Sequence, residues 1–179
     1  MDELNNLVPV IIPREYLAYD NWPGPYRLLK HPELAVTWVT LEPNQWMNYL
    51  TKDQAEAWAS GGVDYESVAL ENLERLTGDD LWTHGKRDAD GNLLYAVMMH
   101  EDGLGSSRIL LQEDLLKMFP QGYWVAIPER SCALVIPKGV SAEELKEAKD
   151  LIKECWDGGT TPMLSDLLEP EDVQIEGAL

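Results

Sequence analysis

Short runs of apolar and β-branched residues recur along the chain and are separated by turn-forming residues. The run 7–13 contains two prolines and predicts an edge strand or an extended arm, because proline cannot donate to a sheet ladder. The run 34–41 is apolar almost throughout and predicts a buried strand. Residues 123–127 and 132–136 flank the turn-forming segment 128–131, so they predict a hairpin.

A second hairpin is predicted around the segment 88–92, Asp-Ala-Asp-Gly-Asn, with strands over 81–84 and 93–99. The same segment begins like a calcium-binding EF-hand loop. That loop needs glycine at its sixth position and a bidentate glutamate at its twelfth, whereas here Gly91 is fourth and Met99 is twelfth. We therefore interpret the segment as a turn and predict no metal site.

Side chains that can cap backbone amides mark where helices begin. Thr51 and Gln54 form a capping box, which predicts a short helix to about Ala59. Asp64 can cap the next helix, which is expected to end near Thr77. Further helices are expected over 112–119 and, after a second capping box, over 141–156.

Strands and helices are mixed without strict β-α-β alternation, which is typical of an α+β fold. We expect a mainly antiparallel sheet flanked by three to four helices, with the sheet continuing over 107–111. A single domain over 1–179 is predicted, with a sub-division near 78–80. Residues 162–179 contain five acidic and no basic side chains, so they are expected to form a solvated, acidic C-terminal tail.

The charge balance argues against two classes of partner. Of 179 residues, 32 are acidic and 14 are basic, which gives a formal net charge of -18. Nucleic-acid binding and docking on anionic membranes both depend on clustered basic residues, so neither partner is expected. There is also no apolar run of about 18 residues that would form a membrane-spanning helix. A basic protein is the partner that the charge favours.

The small number of cysteines indicates the cellular compartment of the protein. Cys132 and Cys155 are the only two cysteines, and both have apolar neighbours. A secreted domain of this size usually has a disulfide framework, so we expect a cytoplasmic protein with two free thiols. A bridge between Cys132 and Cys155 stays open as the alternative.

Candidate chemistry is concentrated near the loop that follows the segment 93–99. His100 is followed by two carboxylates, Glu101 and Asp102. A histidine beside a carboxylate can act as a general base that the acid orients. Forked guanidinium groups suit carboxylate or phosphate ligands. We therefore hypothesise a ligand pocket formed by His100, Ser107, Arg108, Trp124 and Arg130. The plainer interpretation is a solvated loop and a turn arginine that pairs with a nearby acid.

Three stretches of the chain carry motifs of one family. The segment 68–73, Val-Ala-Leu-Glu-Asn-Leu, is similar to an Ala-x-x-Asn-Leu helix. Segments 105–111 and 124–130 are similar to a Ser-x-Leu-Leu stretch and a later Val-x-x-Pro-x-Arg-Asp turn, although Ser131 replaces the aspartate. The segment 161–165 is similar to a late Pro-Leu-Ser motif, interrupted by one methionine. These stretches resemble the YtpQ-like uncharacterised proteins, which implies a cytoplasmic bacterial α+β domain without an assigned activity.

Two classes of function remain open on the sequence. The first is a non-catalytic interaction domain whose acidic surface binds a basic protein. The second is an enzyme or small-molecule-binding protein that uses the pocket hypothesised above, with its catalytic residues unknown. No cofactor is predicted, because the glycine-containing segment 103–107 matches neither a dinucleotide-binding nor a phosphate-binding loop. The oligomeric state is left open.

Overall fold

The computed structural model describes residues 3–19, 22–42 and 46–177. Backbone contacts divide the chain into two compact units, Met1–Gly78 with Ile175–Leu179 and Asp79–Gln174. Each unit has an antiparallel sheet and helices of its own, so the predicted α+β class with antiparallel strands is confirmed. The strands form two sheets rather than one, because strands that follow each other closely in sequence tend to pair.

The sheet of the first unit is built around β3 (Leu34–Leu41). This strand pairs with β1 (Leu7–Pro13), β2 (Tyr26–Leu28) and β4 (Met47–Tyr49), all antiparallel. β1 lies at the edge of the strand order, as its prolines predict. The sequence pattern does not predict β2 and β4, because three residues are too few to show a period.

Two helices complete the first unit. α1 (Lys52–Ser60) begins after Thr51, which forms the predicted capping box, and α2 (Tyr65–Thr77) begins after Asp64, which caps it. The core that these helices share with the sheet contains Leu7, Trp38, Leu50, Ala55 and Ala69. The indole of Trp38 meets the ring of Tyr65 edge-on, with 5.4 Å between the ring centroids.

The sheet of the second unit consists of two hairpins placed side by side, in the order β5-β6-β8-β7. Its strands are β5 (His84–Arg87), β6 (Leu93–Met98), β7 (Tyr123–Glu129) and β8 (Cys132–Pro137). Both predicted hairpins are confirmed, but β5 begins three residues later than the expected strand 81–84. The polar turn closes directly onto β5, where the amide of Asp88 donates to the carbonyl of Asn92 at 2.9 Å. An edge strand beside such a turn does not need apolar residues.

α3 (Gln112–Met118) and α4 (Ala142–Gly158) are the helices of the second unit, and both were expected. α4 buries Ala148 and Ile152 against the sheet and begins at the predicted capping box of Ser141. Throughout the described segments, every helix is too short or too polar to cross a lipid bilayer.

The C-terminal segment is packed rather than solvated. Residues 162–168 follow the edge of β7, where the amide of Leu168 donates to the carbonyl of Val125 at 2.8 Å. Leu164, Leu168 and Val173 are buried, so the expectation of a solvated tail is wrong for this stretch. Its apolar residues cover a sheet edge while its acidic residues face outward. The last two residues of the predicted tail lie outside the described residues.

Candidate functional site

The loop between β6 and α3 holds three of the five residues of the hypothesised pocket. A Cβ atom added to Gly105 would overlap the carbonyl oxygens of Ser131 and Met98, so only glycine permits this close backbone approach. The next residues, Ser106–Leu110, form a short 3₁₀ helix. The expectation that the sheet continues over 107–111 is therefore wrong. This stretch instead packs against β7 and β8.

Arg108 is buried at the centre of this loop, with 1% of its surface exposed. Its guanidinium donates two hydrogen bonds to the carboxylate of Asp102, at 3.0 and 2.7 Å. One oxygen of Asp102 also accepts a hydrogen bond from the amide of Leu104 at 2.9 Å. A bidentate ion pair of this kind is strong and fixes geometry, so it ties the start of the loop to the 3₁₀ helix.

The pKa of the Asp102 carboxyl reflects opposing influences. Burial alone would raise it, but the hydrogen bonds from Arg108 and the Leu104 amide, together with the nearby positive charges, outweigh burial. The pKa therefore lies below its ordinary value of 3.8. Asp102 is thus ionised at neutral pH and compensates the buried guanidinium.

His100 is oriented by the backbone rather than by a carboxylate. Its Nε2 lies 2.7 Å from the carbonyl oxygen of Asp80. Because a carbonyl can only accept, Nε2 must carry the proton, and in the neutral imidazole Nδ1 is then an acceptor. The orientation that sequence reasoning assigned to a neighbouring acid is supplied here by a main-chain oxygen.

The turn between β7 and β8 supplies the other side of the cluster. The hydroxyl of Ser106 donates to the carbonyl of Arg130. Glu129 is buried, and its carboxylate accepts hydrogen bonds from the amide of Ser131 at 2.7 Å and from the Ser131 hydroxyl. Position 131, where the resembled family has aspartate, therefore serves here as a donor to an internal carboxylate.

The cluster does not satisfy all of its own polar atoms. Four buried side-chain atoms here lack a hydrogen-bond partner among the described residues: His100 Nδ1, Ser107 Oγ, Arg108 Nε and Arg130 Nε. Ordered water commonly satisfies such groups in folded proteins. Since Ser107 and Arg108 are each 1% exposed, a solute cannot reach them without opening the loop.

Trp124 lies away from this cluster. It is six residues before Arg130 on an extended strand, a separation on the order of 20 Å. Its indole nitrogen donates to Glu169 at 3.1 Å, and the ammonium of Lys138 lies 5.7 Å from the centre of its ring. The structure thus places Ser107 and Arg108 in a 3₁₀ helix that bonds to the turn containing Arg130, with His100 at the start of the same loop, and it gives Trp124, near the start of β7, different partners.

The cluster contains residue types that often act in catalysis, but the described residues do not form the hydrogen bonds that would link them for that purpose. A serine nucleophile needs a base within hydrogen-bond reach, but Ser107 Oγ has no partner among the described residues. Arg108 is already occupied by Asp102. In the part of the chain that the structure describes, no group of three His, Cys, Asp or Glu side chains gathers to hold a metal ion. The arrangement is suited to fixing the loop and the turn.

A more accessible site, which sequence reasoning missed, lies between α3 and the 3₁₀ helix Pro170–Val173. Here a depression of about 250 Å³ is lined by residues that include Leu116, Tyr123, Lys138 and Glu171. Leu116 is 57% exposed, so its side chain in this depression is accessible from solvent. We call the residues that line this depression, together with Glu113 on α3, the α3 surface.

The electrostatics of the α3 surface are acidic. Burial raises the pKa of the Tyr123 phenol, and the negative charge of Glu171 raises it further. Lys138 is the one cation lining the depression, and its ammonium already lies 2.6 Å from Glu169. Glu171 and Glu113 on α3 are both exposed. The depression therefore presents an apolar contact beside a negative charge.

The sequence carries a weak signal for this site. Apolar residues within 162–179 argue against a tail that is purely solvated, yet they do not say which element the segment meets. Only the fold brings Glu171 beside α3.

Comparisons of the chain with protein-family models, with curated proteins and with solved structures find no match.

Proposed function

We propose that this protein is a non-catalytic binding protein whose second unit docks a basic segment of another protein on the α3 surface. The observation that carries the proposal is the exposed side chain of Leu116 beside the charge of Glu171 in one depression. Protein interfaces commonly combine an apolar anchor with a polar rim, and complementary charge steers encounter.

The volume of the depression favours a side chain rather than a free ligand. At about 250 Å³ it is smaller than the usual pockets for small molecules, which span roughly 300–1,000 Å³. A lysine or arginine side chain has an apolar stem that fits against Leu116 and a cationic head that reaches Glu171. The net charge of -18 would attract such a segment from a distance.

Two further expectations belong to this proposal. Cytoplasmic residence is supported by the two free cysteines, because cytosolic proteins keep their thiols reduced. The resemblance to the YtpQ-like proteins stays a proposal that rests on short motifs. Neither is needed for docking on the α3 surface.

The test uses two synthetic peptides of about 12 residues that alternate leucine with either lysine or glutamate. Fluorescence anisotropy of labelled peptide measures binding at low and at physiological salt. The basic peptide is expected to bind, with an affinity that falls as salt rises, since exposed charges are screened. The acidic peptide is expected not to bind.

Variants distinguish docking on the α3 surface from general attraction to an acidic protein. Glu171→Gln and Leu116→Ala are each expected to weaken binding about 5- to 10-fold, which is about 1.0–1.4 kcal/mol. The matched control is Glu56→Gln, which removes one exposed charge from α1 in the first unit. An equal loss in the Glu171 and Glu56 variants, or binding insensitive to salt, would contradict the proposal.

A further inference from the structure

A second, larger groove lies in the same unit and differs from the α3 surface in charge. Its volume is about 590 Å³, within the range of small-molecule sites. It lies where the β5–β6 hairpin, the segment after α3 and the end of β8 meet. Its lining consists of Trp82, Arg87, Gly91, Asn92, Leu93, Met118, Phe119, Pro120, Gln121, Gly122, Pro137 and Lys138.

Among the residues that the structure describes, the lining contains two basic residues and no carboxylate. This is unusual in a chain with 32 acidic and 14 basic residues, because acids outnumber bases more than twofold elsewhere. A wall free of acidic groups avoids repelling an anion. The charge of the groove is thus opposite in sign to that of the protein as a whole.

Arg87 is the cation that remains available in this groove. Its guanidinium carbon lies 5.4 Å from the centre of the Trp82 ring, and Nη1 donates to the carbonyl of Gly91 at 2.7 Å. Within the described residues no acid forms an ion pair with it. The nearest acid in sequence, Asp88, is occupied by the amides of Asp90 and Asn92 at 2.9 and 2.8 Å.

Lys138 contributes its stem rather than its charge. Its methylene groups lie against Gly122, where an added Cβ would come within 3.2 Å of them. Its ammonium faces Glu169 and the Trp124 ring. An anion entering the groove therefore meets Arg87 as its principal partner.

The rest of the wall is largely apolar and in part exposed, and it also contains the polar side chains of Asn92 and Gln121. Met118 is 41% exposed, and Leu93 and Phe119 lie with it along the groove. Methionine adapts its shape to a ligand and makes favourable contacts with aromatic rings. A β-bulge between Lys86 and Arg87 interrupts the ladder where Arg87 leaves β5, and bulges often re-aim a side chain beside a binding site.

We propose that this groove binds a small organic carboxylate that has a flat apolar body. The carboxylate accepts hydrogen bonds from the free edge of the Arg87 guanidinium, and the body packs between Leu93, Met118 and Phe119. The proposal is independent of peptide docking on the α3 surface. The two sites differ in the charge that they select.

The test compares three ligands with one ring system and different charges: 2-naphthoate, 2-naphthalenemethanol and 2-naphthylmethylammonium. Binding is measured by the indole NMR signal of Trp82 and by titration calorimetry. We expect 2-naphthoate to bind at least 10-fold more tightly than the ammonium, although the net charge of -18 favours the cation. Equal binding of the three ligands, or preference for the ammonium, would overturn the proposal.

Arg87→Gln is expected to weaken 2-naphthoate binding about 10-fold while leaving 2-naphthalenemethanol unchanged. Lys117→Gln is the matched control, because it removes a charge from α3 without lining the groove. If Arg87→Gln leaves 2-naphthoate binding intact, or if no ligand saturates the groove at about 10 mM, the inference fails. Folding of both variants is checked by circular dichroism.

Discussion

The two units bury polar side chains in different ways. Among the described residues of the first unit, the buried polar ones are Thr37, Asn72 and Thr77, and all three are neutral. Each donates to backbone carbonyls: Thr37 to Pro25 at 2.8 Å, Asn72 to Leu4 and Leu7 at 2.9 Å, and Thr77 to Leu73 at 2.7 Å. This polar network is independent of ionisation.

In the second unit the buried polar residues include the charged side chains of Arg108 and Glu129. The guanidinium of Arg108 depends on the ionised carboxylate of Asp102. The carboxylate of Glu129 accepts hydrogen bonds from Ser131 and Thr160. Buried ions are costly to leave unpaired, whereas buried neutral groups need only one good acceptor. The buried charged groups of the second unit therefore depend on ionised carboxylates, whereas the buried polar side chains of the first unit are neutral.

The largest effect is expected for Asp102→Asn. The substitution leaves the buried guanidinium of Arg108 without a counter-charge, so the free energy of unfolding should fall by about 3 kcal/mol. Urea denaturation measures this change. The control Asp166→Asn removes an exposed carboxylate from the segment along β7 and should change stability little. Equal effects in the two variants would remove the distinction between the units.

Acid should act through the same residue. The folded pKa of Asp102 is depressed, so its stabilising contribution is present above its ordinary pKa and is lost as pH falls through the folded value. The protection factors of the amides in the loop 100–111, which are corrected for the intrinsic pH dependence of exchange, should therefore fall with acid. In Asp102→Asn this acid dependence should be absent, and its persistence would assign it to another group.

The counterpart in the first unit is Asn72→Ala on α2. It removes the donor to the carbonyls of Leu4 and Leu7, and we expect a loss of about 1–3 kcal/mol from those unpaired acceptors. Denaturation at pH 7 and at pH 4 should give the same loss, because Asn72 contacts only backbone carbonyls and the guanidinium of Arg75, which stays protonated over this range. A loss that varies with pH would contradict the neutral character of this network.

Alkaline pH should distinguish the units again. Burial above all, together with the neighbouring Cys155 and Glu129, raises the pKa of the Cys132 thiol from 9.0 to about 12. The unfolded chain releases this proton near pH 9 and the folded chain near pH 12, so stability is lost between these values. The expected slope is up to about 1.4 kcal/mol per pH unit. Cys132→Ala should flatten the slope in alkaline denaturation curves.

The smallest difference is expected between the helix caps, where the units are alike. Thr51→Ala and Ser141→Ala each remove one half of a capping box, and both should cost about 1 kcal/mol. Thermal denaturation of the two variants measures this. A much larger loss in only one variant would mean that its cap also supports tertiary packing.

The elements predicted correctly depend on neighbouring residues in sequence. Thr51 reaches Gln54, and Asp88 closes its own hairpin turn within five residues. The course of 107–111 was predicted wrongly because contacts outside this stretch decide it, whereas β5 begins late because the polar turn closes directly onto it. Arg108 folds back onto Asp102, and Gly105 meets the turn at Ser131. Neither contact leaves a periodic pattern in the chain.

The candidate sites divide in the same way. The sequence singles out His100, Ser107, Arg108 and Arg130 by their chemistry, and the first three lie on one loop whose 3₁₀ helix bonds to the turn of the fourth. It does not indicate that Arg108 is already paired, or that Trp124 lies near the other end of β7. Hydrogen-bond partners are set by the folded chain, so residue type alone cannot distinguish a bound arginine from an available one.

The sequence by itself determined the α+β class, the caps, two hairpins and an acidic charge, because these follow from local geometry and composition. Only the tertiary structure decided which charged groups are neutralised and which remain open. It pairs Arg108 with Asp102, leaves Arg87 in a groove without acids and places Glu171 beside Leu116. The physical reason is that electrostatic partnership depends on separation in space, which the order of residues along the chain does not specify.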